Sequence, residues 1–101
     1  MGEKINLNSI SHCFQQHPQI LEAAALIVEE KYVLVCARKS KTSPKKNNLI
    51  GEVKDKFSLR DAQIPNIVLF VNKIPKLKHN FKLNTIKLRE IVKSHLNKCN
   101  N

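Results

Sequence analysis

From Ile20 to Val28 every residue except Glu22 is apolar, and after Glu29-Glu30-Lys31 the chain returns through Tyr32 to Ala37 with no charged side chain. Two apolar runs of strand length on either side of a polar turn are the pattern of a β-hairpin. The rest of the chain supplies its cover. Asn8 or Ser9 can cap a helix in which Ile10, Cys13, Phe14 and His17 recur at helical spacing before Pro18 stops it. Leu49, Ile50, Val53 and Phe57 trace a second amphipathic face. Ile64-Pro65 marks a boundary, since the residue before proline disfavours helix. Ile67 to Val71 is a third strand, and Asn84 or Thr85 caps a last helix with Leu88, Ile91, Val92 and Leu96 on its apolar side. Alternation of Ile5 and Leu7 with polar neighbours suggests one more short strand at the start. The expectation is a single α+β domain over residues 1–101, a small three-stranded sheet with flanking helices in the order β-α-β-β-α-β-α. Residues 38–48 are expected to form a mobile basic loop and 97–101 a disordered tail.

The charge is the second constraint. Lys and Arg outnumber Asp and Glu so far that the net charge is +10, and from Lys73 onward eight basic residues face the single acid Glu90. Such a field attracts anions: nucleotides, coenzyme A phosphates, nucleic acid or acidic lipid. It does not choose among them. The few aromatic residues are not interleaved with the basic ones, and Tyr32 and Phe70 fall on strands, so platforms for stacking bases are missing. Nucleic acid is not the expected partner.

Cys13, Cys36 and Cys99 are odd in number and lack metal-ligand spacing, and His12, His17, His79 and His95 do not cluster, so no metal site is expected. Unpaired thiols without a signal peptide point to a reducing, cytoplasmic setting. No apolar run approaches the roughly 20 residues that span a bilayer. No paired carboxylates, Ser/His/Asp set or phosphate-cradling glycine loop can be assembled from a chain with two glycines. A complete active site is absent.

One stretch does carry chemistry. Val71-Asn72-Lys73-Ile74-Pro75 ends the third strand, a lysine-rich loop follows, and Asn80-Phe81-Lys82-Leu83-Asn84-Thr85-Ile86-Lys87-Leu88-Arg89-Glu90 leads into the last helix. This resembles the final motif of the adenylate-forming enzymes, F-V-D-x-I-P-x-x-x-x-G-K-I-D-R-x-x-L-R-E. That superfamily includes acyl-CoA synthetases, luciferases and the adenylation domains of peptide synthetases. Three more pieces stand in the same order. Gly2-Glu3-Lys4-Ile5-Asn6-Leu7-Asn8-Ser9-Ile10 is similar to the hinge motif G-x-R-I-E-L-x-E-I-E. His17-Pro18-Gln19-Ile20-Leu21-Glu22-Ala23-Ala24-Ala25 is similar to H-P-x-V-x-E-A-A-V, and Leu59 to Pro65 has the spacing of L-P-x-Y-M-I-P. The chain departs from the pattern at Phe81, where the family has glycine, at Asn84 and Thr85, and by one extra residue between Pro75 and Lys82.

The resemblance implies the C-terminal lid of an enzyme that joins a carboxylic acid to ATP as acyl-AMP and then makes a thioester. It implies Lys82 as the catalytic cation, Lys78 as a secondary phosphate contact, and Gly2, Lys4 and Ile5 as the hinge face that meets the thiol channel. ATP and magnesium would be held with the large N-terminal adenylation body, coenzyme A or a pantetheine would take the acyl group, and none of these would be bound by this chain alone. The partners are then that body, in the same longer chain or a separate polypeptide, and a carrier protein where the thiol is its pantetheine. The alternatives are a stand-alone or degenerate lid acting as a protein-interaction module, and a basic nucleic-acid-binding domain.

Overall fold

The computed structural model describes residues 6–39, 45–79 and 82–99, with side chains to Asn97. Helix α1 spans Leu7–Gln15, and its cap is Asn6, whose side chain accepts the Ser9 N–H at 3.1 Å. The cap therefore lies ahead of Asn8 and Ser9, and Ser9 is the donor rather than the acceptor. Ile10 and Phe14 are buried on one face of α1, and the chain leaves the helix at His17-Pro18, as the proline requires. The strand expected at Ile5 falls largely on residues outside those described, and Leu7 opens the helix.

Strands β1 (Ile20–Val28) and β2 (Lys31–Arg38) form the hairpin, antiparallel in a register that runs from Glu22 opposite Ala37 to Val28 opposite Lys31. Strand β3 (Ile67–Val71) lies on the other side of β2 and runs parallel to it, Val33 beside Ile67 and Ala37 beside Val71. Parallel neighbours need a crossover, which no hairpin can supply. Here it is helix α2 (Lys46–Phe57) and a short 3-10 turn at Asp61–Gln63. The order α1-β1-β2-α2-β3-α3, with α3 at Thr85–Cys99, makes an α+β fold around a three-stranded mixed sheet.

The central strand β2 explains the layering. All six residues from Tyr32 to Ala37 are buried, because successive side chains point to opposite faces and both faces are covered. Val33, Val35 and Ala37 pack with Ala24, Leu26, Val28 and Leu69 under Leu88, Val92 and Leu96 of α3. Tyr32, Leu34 and Cys36 pack with Ala23 under Ile10 and Phe14 of α1 and Leu49 and Val53 of α2. Each large aliphatic side chain so buried contributes about 1.5–3 kcal/mol.

Two expected boundaries move. Helix α2 begins at Lys46, and Arg38 is the last residue of β2, so the connection expected over 38–48 is shorter at both ends. Helix α3 continues through residues 97–99, where a tail was expected.

Candidate functional site

After β3 the chain is tied down at three points before α3 begins. Arg38 Nη2 donates to Asn72 Oδ1 at 2.7 Å. Ile74, 1% exposed, drops into the core on the α3 side of the sheet. Beyond Pro75 the segment folds back on itself: Lys76 and Leu83 form an antiparallel bridge, Leu77 N–H donates to the Lys82 carbonyl at 2.7 Å, and Asn84 N–H donates to the Pro75 carbonyl at 3.0 Å. Asn84 then caps α3, its Oδ1 accepting the Lys87 N–H at 3.1 Å. The local sequence explains this: Pro75 has no N–H but keeps its carbonyl as an acceptor, and asparagine is among the best capping residues.

Lys82 thus stands on the return arm of a small bridged hairpin, two residues before the helix cap. Its backbone is held through its carbonyl and its side chain is exposed. A cation at the end of a flexible stem on a fixed backbone can reach an anion presented from outside the chain.

The outgoing arm carries a second feature. Lys73, Lys76, Lys78 and Lys87 line a groove of about 490 Å³ together with Pro75, Leu77 and Asn84. Lys76 forms an ion pair with Glu22 of β1. Among the described residues, Lys73, Lys78 and Lys87 meet no carboxylate. The structure therefore places Lys78 in a basic groove next to the Lys82 hairpin, while Lys82 is not part of the lining. Gly2, Lys4 and Ile5 lie outside the described residues. Lys73, Lys76, Lys87 and Glu22 were not singled out from the sequence. Their signal was the uneven charge beyond Lys73, which shows that a field exists and not which residues converge.

Other reactive side chains have structural roles. His17 is buried; its Nδ1 accepts the Gln19 N–H at 3.1 Å, which leaves Nε2 to donate to Glu52 of α2. That bond joins the exit of α1 to α2. Cys36 is fully buried, and desolvation pushes its thiol up to about 12, far from a reactive thiolate. Among the described residues no group of His, Cys, Asp and Glu is placed to hold a metal ion, and no helix is long and apolar enough to cross a membrane.

Solved structures that this chain resembles in fold include adenylate-forming enzymes. The amide bond synthetase McbA from Marinactinospora thermotolerans superposes with a TM-score of 0.74 over 86% of this chain at 23% identity. A benzoate CoA ligase from Burkholderia xenovorans LB400 does so with a TM-score of 0.72 over 88% at 26% identity. ATP-bound MatB from Rhodopseudomonas palustris gives 0.77 over 91% at 21% identity. The chain has the fold of the C-terminal subdomain of the adenylate-forming enzymes. It spans about a fifth of their length, 18% of McbA and 19% of the other two. No family model matches the chain and no curated protein matches its sequence. In this fold the bridged hairpin with Lys82 links β3 to the last helix.

Proposed function

We propose that this subdomain is the lid of an ATP-dependent ligase whose ATP-binding and acid-binding body is supplied by residues beyond these 101, in the same longer chain or in a separate polypeptide. The observation that carries the reading is the presentation of Lys82 on a backbone-anchored hairpin, in a fold shared with adenylate-forming ligases over 86–92% of the chain. In the reaction a carboxylate oxygen of the acid bonds to the α-phosphorus of ATP, the α–β phosphoanhydride bond breaks, and pyrophosphate leaves. Negative charge builds where two anions meet, and the Lys82 ammonium offsets it when the lid is closed. Opening then withdraws the cation. In the second step a thiol of coenzyme A or of a carrier protein's pantetheine attacks the acyl carbon and AMP departs, with the hinge face around Gly2, Lys4 and Ile5 turned toward the thiol. On this reading magnesium is held with ATP in the body.

With its body present, Lys82→Ala should slow adenylate formation by roughly two to three orders of magnitude, the scale for one preorganised charge-stabilising group. Thioester formation from preformed adenylate should continue. Lys78→Ala should slow adenylation far less. Equal losses from the two variants would mean that only general positive charge matters, and unchanged adenylation in Lys82→Ala would remove the role assigned to it.

A further inference from the structure

The groove beside the Lys82 hairpin gathers positive charge from separate parts of the chain. Among the described residues its lining holds four lysines and no carboxylate, in a concave space of about 490 Å³. Glu22 of β1 neutralises Lys76 alone. The other three come from different parts of the chain: Lys73 from the segment that follows β3, Lys78 from the hairpin and Lys87 from the first turn of α3. Three like charges facing one hollow repel each other, and an anion with several charges in a small volume relieves that repulsion. Ammonium groups are compact, strongly hydrated donors suited to phosphate oxygens as point charges. Among the described residues no aromatic side chain lines the groove, so none of them stacks a base there. The space is also larger than a single carboxylate needs.

We infer that this groove is a binding site for a di- or triphosphate group, recognised by its charge and not by an attached nucleoside. The source can be free pyrophosphate or the phosphate tail of a nucleotide or coenzyme, since the chemistry offered to the groove is the same. The site belongs to the 101-residue chain itself and does not depend on the body, so it stands or falls apart from the lid reading.

The test is an amide chemical-shift titration of the isolated chain with inorganic tripolyphosphate at low ionic strength, with pyrophosphate, ATP and a short oligothymidylate as parallel arms. Saturable shifts should be centred on Lys73 to Lys78 and Asn84 to Lys87. Tripolyphosphate and ATP should bind with similar affinity. The triple variant Lys73→Ala, Lys78→Ala, Lys87→Ala should bind about tenfold more weakly, as expected for three exposed charge pairs. These lysines are exposed, so the variant should retain a native dispersion of resonances. Its charge-matched control, Lys31→Ala, Lys39→Ala, Lys93→Ala, removes three lysines that do not line the groove and should bind nearly as the parent does. Equal weakening by the two triple variants, or shifts spread over the whole basic surface, would overturn the site in favour of a diffuse field. Much tighter binding of ATP than of tripolyphosphate would show that the nucleoside is read, and tighter binding of the oligonucleotide would make the groove a nucleic-acid surface. Either result would refute the inference.

Discussion

Glu29 and Glu30 turn the hairpin with φ values of 51° and 66°, in the left-handed region where a β-carbon crowds the following carbonyl oxygen. Val28 and Lys31 pair across them, so the glutamates hold the two central positions of a tight turn that Asn-Gly fits best. Replacing them together, Glu29→Asn with Glu30→Gly, should stabilise the chain by about 1–2 kcal/mol. The readout is a higher denaturant midpoint at unchanged slope, and an unmoved midpoint would show that the glutamates take these angles without strain. Two core residues contribute to the loss of stability in alkali. Burial pushes the Tyr32 phenol from 10.0 up to about 12 and the Cys36 thiol from 9.0 up to about 12, and Tyr32 also donates to the Gln63 carbonyl at 2.8 Å. The folded chain therefore keeps protons that the unfolded chain has released. Stability from these groups is intact below about pH 9 and declines as the pH rises toward about 12. Cys36→Ala should remove the earlier part of the decline, at a cost of about 1 kcal/mol at neutral pH. Urea titrations at stepped alkaline pH check this, and a decline of unchanged shape would assign it to other groups.

At the scale of elements, the outer edge of β1 is closed by side chains from helices instead of by another strand. Ser11 Oγ accepts the Ala25 N–H at 2.7 Å, Gln15 Oε1 accepts the Ala23 N–H at 3.3 Å, and Arg89 Nη1 donates to the Ile27 carbonyl at 3.1 Å. An edge occupied in this way is a poor template for a further strand. Glu22, on the same strand, holds the bridged hairpin through Lys76, and so connects β1 to the backbone that carries Lys82. Glu22→Ala should raise amide exchange at Leu77 and Asn84, whose N–H groups close that hairpin, by an amount matching about 1 kcal/mol or less for a half-exposed pair. Exchange within β2 should not change. If Leu77 and Asn84 were no faster, Ile74 and the backbone bonds alone would be holding the loop. From the sequence the hairpin, the third strand and the three helices were all legible, since each rests on apolar spacing or a proline within one segment. The Asn6 cap and the edge contacts were not, because a polar side chain's partner is set by where the fold brings it.

For the whole molecule, the charge of +10 is a field with a structured basic concavity at the lysine groove. On the lid reading, the isolated chain should give no acid-dependent exchange of pyrophosphate into ATP, because that reading puts the sites for adenine, ribose and the acid in the body. Exchange by the pure 101-residue protein would refute that reading. Its affinity for mixed-sequence DNA or RNA should be weak and should fall steeply with added salt. Sub-micromolar binding at physiological salt would favour the basic-module alternative.

Apolar runs and helical spacing of Ile, Leu and Val, with prolines at 18, 65 and 75, determined the three strands of the sheet and the three helices. The ordered likeness of four segments pointed to the subdomain whose fold the structure has. These signals are local, so one strand of text carries them. Tertiary structure alone decided that β3 lies parallel to β2, with Val33 beside Ile67, and that α1 and α2 share one face of the sheet while α3 covers the other. It also decided which lysines share a groove and that Glu22 neutralises one of them. Those outcomes follow from closing a chain so that both faces of β2 are buried together, and burial of that kind is shared among distant residues and leaves no periodic mark in any one segment.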